Sequence, residues 1–384
     1  MRHSLSPREM LARLVTFETV SDRSNLDLIG FVESWLADLG VASVRVPDAT
    51  GAKASLIACI GPDAPGGVVL SGHTDVVPVT GQNWTSDPFT LTERDGRLHG
   101  RGACDMKGFL ACALALSTEM RAAHLKRPIL LALSYDEEVG CLGAPPMIER
   151  LIADQPRPEA VIVGEPSMMR VVTGHKASWG IEVSVRGHEV HSSLIHTGVS
   201  AVMTAARLVA WMDAAMAENA RAAAPSDFAP PYTTLHAGLI AGGTAGNITA
   251  RDCRFVGEIR IMPGESIAQW QARFMAEVAR LEAEIKAIHP EAGIAVRTRM
   301  EMEGFDPGPD GLAERLARSL TGDNARRVVS YQTEAGQFQE RGLSTVICGP
   351  GSIDQAHQPD EFIAIEQLDA GAEFVRRLIH RLAA

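Results

Sequence analysis

The 384 residues, 46% of them hydrophobic, are enough for a large buried core and favour two domains. The formal net charge of −11, with Lys and Arg spread along the chain, argues against nucleic acid or an anionic membrane as partner. A polar N-terminal stretch, no membrane-length apolar run and six cysteines without paired spacing predict a cytoplasmic protein with reduced thiols.

The first part of the chain predicts an α/β fold. A capping box that begins at Ser6 starts a helix. Short apolar runs typical of buried strands follow at 68–70, 129–133 and 161–163. A helical segment at 108–120 separates the first two runs. This alternation predicts a doubly wound, mostly parallel sheet with helices on both faces.

The pattern changes near residue 177, where apolar and polar residues begin to alternate as in a strand with one wet face. The order strand-helix-strand-strand-helix-strand then describes a ferredoxin-like insert. A strand at 343–348 and a closing helix resume the first pattern. We therefore predict a catalytic domain formed by residues 1–177 and 298–384, interrupted by an inserted domain at 178–297.

Acidic and imidazole residues stand where the apolar runs end. Taken singly, each has an ordinary structural explanation, such as a helix cap or a solvated surface charge. Their repeated placement at strand ends changes that interpretation, because such side chains meet in one crevice of an α/β sheet. The residues are His73, Asp75, Asp105, Glu137, Glu138, Glu165 and His357.

Carboxylate and imidazole ligands without thiolates suit zinc, cobalt or manganese, and a pair of ions needs a bridging carboxylate. Asp105 lies on a turn flanked by glycines and is the expected bridge. His73 and Glu165 would complete one ion, and Glu138 and His357 the other.

Two further acids have expected roles beside these ligands. Asp75 should point to the same face as His73 and accept its free imidazole N–H. Glu137, next to a ligand, should face the substrate water and act as a general base that later protonates a leaving amine. The reaction class implied is hydrolysis of an amide or a similar bond.

The predicted insert adds a histidine suited to stabilise an oxyanion. His191 follows the first strand of the insert and would donate a hydrogen bond to the developing negative charge. His188 and His196 lie close by, and the chemistry of the residues alone does not choose among the three.

Other groups are suited to bind an anion. Asn247 and Arg260 are expected to clasp a substrate carboxylate, the arginine in bidentate fashion. A surface ion pair is the alternative for Arg260. Gly351 and Ser352 would offer free backbone N–H groups. The glycine-rich turn 242–247 lacks the lysine of a phosphate loop, which argues against a nucleotide.

These residues, in this order, resemble the M20 family of metallopeptidases and aminoacylases. The resemblance covers nearly the whole chain, including the position of the insert. Three segments favour a deacetylase branch of the family: 164–167, 333–335 and 349–361.

The resemblance implies two zinc ions per subunit, with cobalt able to substitute. Its ligand set is His73, Asp105, Glu138, Glu165 and His357, with Glu137 as the base. It also implies a cis peptide after the bridging aspartate and a small N-acyl amino acid as substrate. A homodimer formed through the insert is implied as well, in which His191 serves the partner subunit.

The choice of substrate is less specific than the metal chemistry. Glu334, beside the site, is expected to pair with a cationic substrate side chain. A desuccinylase acting on a diamino acid, a general aminoacylase and a dipeptidase would all share the metal site. A non-catalytic homologue is the alternative outside enzymes, but it would have a damaged ligand set, whereas every ligand is present here.

Overall fold

The computed structural model describes residues 4–306, 308 and 310–384, which form two compact units. Residues 4–173, 310–327 and 333–384 belong to the first unit. The second unit consists of 174–306 and 328–332, and the predicted insert falls within it.

The strands, in chain order, are β1 (Ser43–Pro47), β2 (Ala54–Ile60), β3 (Val68–His73), β4 (Thr92–Arg94), β5 (Arg97–His99), β6 (Ile129–Ser134), β7 (Ala160–Pro166), β8 (Ala177–Arg186), β9 (Thr234–Gly242), β10 (Asp252–Ile261), β11 (Gly293–Met302), β12 (Thr345–Gly349) and β13 (Phe362–Ala364). The helices are α1 (Pro7–Val15), α2 (Leu26–Asp38), α3 (Lys107–Ala115), α4 (Ser117–Ala122), α5 (Ala144–Asp154), α6 (Ala201–Ala222), α7 (Ile267–Ile288), α8 (Leu312–Thr321), α9 (Ala335–Glu340) and α10 (Ile365–Ala383). None of the helices in the described part of the chain is long and apolar enough to cross a membrane.

The first unit is built on a six-stranded sheet in the order β1-β2-β6-β3-β7-β12. The four strands β6, β3, β7 and β12 are parallel, which confirms the predicted mostly parallel sheet. Every residue of these four strands is buried, as strands covered by helices on both faces require. The antiparallel edge of the sheet, formed by β1 and β2, was not predicted from the sequence.

The second unit is an antiparallel four-stranded sheet in the order β11-β8-β10-β9. With α6 after β8 and α7 after β10, its chain order is the predicted β-α-β-β-α-β. A capping box at Ser266 starts α7, as its sequence permits. The apolar residues of α7 at 3–4 spacing are buried: Trp270, Phe274, Val278, Leu281 and Ile285.

The predicted helix at 108–120 is wrong in one respect, because it is broken into α3 and α4. The Leu114 carbonyl accepts hydrogen bonds from the Ser117 hydroxyl, at 2.6 Å, and from the Trp35 indole N–H, at 3.0 Å. Side chains therefore satisfy a carbonyl that a continuous helix would bond to a backbone N–H. The indole comes from α2, so the local sequence of 108–120 carries no sign of the break.

Candidate metal centre

The carboxyl ends of neighbouring parallel strands position most of the predicted ligands. His73 is the last residue of β3, Glu165 lies near the end of β7, and the Glu137–Glu138 pair follows β6. β3 lies between β6 and β7 in the sheet, so these side chains emerge at one edge. Asp105, in the turn before α3, and His357, in the loop before β13, complete the group.

The two carboxylate oxygens of Asp105 face different histidines. Its Oδ1 lies 3.0 Å from His73 Nε2, and its Oδ2 lies 3.3 Å from His357 Nε2. This is the arrangement expected of a carboxylate that bridges two ions.

Each histidine also has a second carboxylate nearby. Glu138 Oε2 lies 2.9 Å from His357 Nε2, and Glu165 Oε1 lies 3.8 Å from His73 Nε2. The side chains therefore divide into the two sets that the sequence predicted, with Asp105 shared between them. One potential ligand atom each from His73, Asp105 and Glu138 also lie within 4.8 Å of one another, so both sets belong to one cluster.

The cluster concentrates negative charge in a buried place. Burial, with repulsion from neighbouring carboxylates, raises the pKa of Glu138 to about 7 and that of Glu137 and Glu165 well above the usual value. Hydrogen bonds to Asp105 and Glu138 raise the pKa of His357 to about 10. The site therefore favours added positive charge, in the form of protons or of cations.

The donor set fits divalent metal ions. Among the described residues, Glu138 Oε1 and Glu165 Oε1 are buried without a hydrogen-bond partner, which is costly unless a ligand satisfies them. Imidazole nitrogens and carboxylate oxygens at this spacing, with no thiolate among them, suit zinc, cobalt or manganese.

The turn that carries Asp105 is packed tightly against β3. A Cβ atom at Gly72 would lie 2.5 Å from Met106 Cε, and one at Gly102 would lie 2.6 Å from Val76 Cγ1. Gly102 also has a φ of 77°, a left-handed conformation that favours glycine. The Asp105–Met106 peptide is cis, which confirms the expectation from the resemblance.

Asp75 contacts His73 in a way that differs from the prediction. His73 Nδ1 lies 2.9 Å from the main-chain carbonyl of Asp75, whereas the Asp75 carboxylate is 3.6 Å away. The carboxylate instead accepts the backbone N–H groups of Glu137, at 3.1 Å, and Glu138, at 3.3 Å. The Asp75 carboxylate therefore holds the backbone of Glu137 and Glu138, and its carbonyl orients the imidazole.

The carboxylate of Glu334 is buried and is not accessible to the cationic side chain of a substrate. Its carboxylate is 1% exposed and accepts the hydroxyls of Ser71, at 2.6 Å, and Ser134, at 2.7 Å. Since Ser71 lies on β3 and Ser134 ends β6, Glu334 links two strands beneath the metal cluster. Glu334 therefore has almost no exposed surface with which to make the expected contact with a substrate side chain.

The predicted anion site at Gly351 and Ser352 is partly occupied by protein groups. The Gly351 N–H donates to the Gln367 side-chain oxygen at 3.2 Å, so it is not free as predicted. The Ser352 hydroxyl accepts the Asp354 N–H at 3.2 Å. The pairing of Gly351 with the Gln367 side chain, sixteen positions along the chain, could not be assigned from the sequence.

In the second unit, His191 and Asn247 lie on adjacent segments. A β-bridge joins His191 to Ile248, and the Ser192 N–H donates to the Asn247 carbonyl at 2.9 Å. The His191 side chain is exposed, and its Nδ1 lies 2.8 Å from the Ser193 hydroxyl.

Arg260 lies at the other end of β10, close enough to Lys176 for the two positive charges to repel each other. Its Nη1 donates to the Ser330 carbonyl at 2.9 Å, and its Nε lies 3.1 Å from Glu258 Oε1. Burial, with repulsion from Arg260, lowers the pKa of Lys176 to about 8.

Asn247 and Arg260 lie too far apart to clasp one carboxylate within a single chain, so the predicted clasp would need residues from two chains. Asn247 precedes β10, which begins at Asp252, and Arg260 is the ninth residue of the strand. Eight residues of extended strand span about 26 Å, well beyond the reach of an arginine side chain.

The parallel sheet with a carboxylate and imidazole cluster at its strand ends is the arrangement of a metal-dependent hydrolase. The sequence of residues 69–381 matches the family model of peptidase family M20/M25/M40, and the chain belongs to this family.

Two curated relatives match almost their whole length. The acetylornithine deacetylase of Myxococcus xanthus is 37% identical over 94% of this chain and 93% of its own. The acetylornithine deacetylase of Pasteurella multocida is 30% identical over 97% of this chain and 96% of its own. An M20 family metallo-carboxypeptidase from Sulfolobus solfataricus has the same fold, with a TM-score of 0.78 at 16% identity, covering 98% of this chain and 99% of that structure.

Proposed function

We propose that the protein is a dinuclear zinc amidohydrolase that removes the acetyl group from N2-acetyl-L-ornithine, giving L-ornithine and acetate for arginine biosynthesis. The shared carboxylate of Asp105, with one histidine at each oxygen, is the observation that carries the metal-dependent part of the proposal. The two deacetylase relatives support the choice of substrate.

Five side chains would hold two zinc ions, for which cobalt could substitute. His73 and Glu165 would bind one ion, Glu138 and His357 the other, and Asp105 both. Bound there, divalent ions lower the pKa of water and polarise the acyl carbonyl of the substrate.

Glu137 is the proposed general base. Its side chain is buried beside the ligands, and the Cys141 thiol donates to its Oε1 at 3.4 Å. A carboxylate whose pKa is raised by burial well above its usual value can accept a proton from the attacking water and return it to the leaving amine nitrogen. Glu137 would therefore carry the proton in both halves of the reaction.

The residues of the second unit would bind the substrate from two subunits. Arg260 is proposed to bind the α-carboxylate, which suits the positive charge around it. His191, donating to the oxyanion, and Asn247 would come from the partner subunit, because their end of the sheet is distant from Arg260 in their own chain.

An apolar edge of the second unit supports a homodimer. β9 is an edge strand, with Leu239 66% exposed and Ile240 52% exposed. Met203, on α6, is 63% exposed. An exposed apolar edge strand is a template for pairing with another chain, and a second copy would cover it.

Two inactive variants should therefore complement each other. Glu137→Gln and His191→Ala would each be nearly inactive alone. A mixed dimer would contain one site with an intact base and an intact histidine from the partner. The purified mixed dimer should therefore have about half of the wild-type activity, and an unfractionated mixture of equal amounts about a quarter.

The two chains would be co-expressed with different tags, and the mixed dimer would be purified by both tags before assay. A matched control pairs Glu137→Gln with His380→Ala, a change on α10 in the first unit. If His191 acts within its own chain, the mixed dimer stays inactive, and the shared-site proposal is lost.

The substrate proposal predicts a preference that a small panel can measure. With zinc or cobalt supplied, kcat/KM for N-acetylornithine should exceed that for N-succinyl-diaminopimelate, N-acetylmethionine and N-acetylcitrulline at least about tenfold. This corresponds to about 1.4 kcal/mol of transition-state discrimination. A flat profile, or a preference for another member, would retain the metal-dependent hydrolase and discard acetylornithine.

A further inference from the structure

We propose that Arg101, Glu361 and Gln82 form a positioning network that holds Asp105 and His357 at the correct separation for binding metal. Asp105 and His357 belong to distant parts of the sequence, yet both must approach the same ion. The inference rests on the proposed metal site and is independent of the proposed substrate.

Glu361 fixes the backbone of the Asp105 turn. Its Oε1 accepts the N–H groups of Cys104, at 2.9 Å, and Asp105, at 3.0 Å. Its Oε2 accepts the N–H of Gly102 at 3.1 Å. Three backbone N–H groups that donate to one buried carboxylate leave the turn little freedom to move the Asp105 side chain.

Arg101 neutralises Glu361 in the interior. Its Nη1 lies 2.7 Å from Glu361 Oε2, and the two side chains are each 1% exposed. A buried ion pair contributes little net stability, because removing both charges from water offsets most of their attraction. Its hydrogen bonds to the turn suggest that the pair acts in positioning the site.

Gln82 extends the network to the loop of His357. Its side-chain oxygen accepts a hydrogen bond from Arg101, and its Nε2 donates to the His357 main-chain carbonyl at 2.8 Å. His357 has a φ of 63° and a half-exposed side chain, so packing alone restrains it weakly. Gln82 anchors the backbone from which the imidazole reaches Asp105.

The first test is Gln82→Met, which keeps the length of the side chain and removes its hydrogen bonds to Arg101 and to the His357 carbonyl, together with the one that its oxygen accepts from the Trp84 indole N–H at 3.1 Å. Metal affinity would be measured on purified full-length protein by competition with a chelator, using zinc, and by the absorption spectrum of the cobalt-loaded protein. Loss of such supporting contacts typically weakens metal binding about 10–100-fold. We expect a weakening in this range for one ion, with an unchanged melting temperature of the metal-free protein.

Gln271→Met is the matched control. Gln271 lies on α7 and donates one hydrogen bond to Glu301, in the second unit, which contains none of the five proposed metal ligands. Its metal affinity should equal that of the wild type.

Glu361→Gln tests the other end of the network. Its amide nitrogen would face either the N–H groups of Cys104 and Asp105 or the donors of Gly102 and Arg101, and weaker metal binding with an altered cobalt spectrum is expected. If this variant does not fold, the metal affinity of Gln82→Met alone tests the positioning network. Wild-type affinity for both ions in folded Gln82→Met would overturn the proposal, as would an equal loss in Gln271→Met. The assay contains no substrate, so a wrong substrate assignment would not affect it.

Discussion

Replacing Glu137 with glutamine should lower kcat by about 10²–10⁴-fold, the usual contribution of a general acid–base group. The amide has nearly the same shape but cannot accept a proton from water. Glu137 is buried beside the proposed ligands and is held by the Asp75 carboxylate through its backbone N–H. Since Glu137 is not one of those ligands, the metal content should remain at the wild-type value.

The measurement combines steady-state kinetics with metal analysis of the same preparation. Glu366→Gln, an exposed change in the first turn of α10, is the matched control and should keep full activity. Activity within tenfold of the wild type would exclude Glu137 as the base. Loss of metal together with activity would instead assign Glu137 a role in holding the ions.

Replacing Asp105 with asparagine should have a comparably large effect for a different reason. An amide has one neutral oxygen in place of the two charged ones that face His73 and His357. The neighbouring acids Glu138 and Glu165, whose pKa is raised by burial and by repulsion from nearby carboxylates, would remain near one another without the bridge. We expect fewer than two ions per chain and a fall in kcat/KM of about 10³-fold or more, equivalent to about 4 kcal/mol.

Metal analysis after dialysis against zinc, followed by kinetics at rising zinc concentration, would measure this effect. Asp369→Asn, an exposed change on α10, provides the control. Two tightly bound ions per chain in Asp105→Asn would show that Asp105 is not the bridge. Recovery of full activity at high zinc would limit its role to affinity.

The structure brings the residues that the sequence predicts as metal ligands into one cluster, because the end of a strand can be recognised from the local sequence. An apolar run followed by His73, or by the Glu137–Glu138 pair, marks both the strand and the position of the side chain at its end. The division of ligands around Asp105 followed from the chemistry of a bridging carboxylate. The relative positions in the structure agree with that division.

Contacts made by groups on separate segments were not predictable in the same way. Three such expectations changed: the acceptor for His73 is the Asp75 carbonyl, Glu334 is bound by two serines, and the Gly351 N–H is already bonded. Each depends on side-chain direction or on a partner far along the chain. Hydrophobic periodicity does not carry that information.

The sequence by itself determined the fold class, the order of the parallel and antiparallel patterns and the residue types expected to bind metal, because strand and helix periodicity and side-chain chemistry are local properties. Only the tertiary structure decided which groups support those ligands. Asn247 and Arg260 illustrate the difference: Asn247 precedes the start of β10, whereas Arg260 lies near the end of that strand. The network of Glu361, Arg101 and Gln82 also appears only when distant segments pack together. Hydrogen bonds are short and directional, so their partners are set by three-dimensional proximity, which the order of residues does not specify.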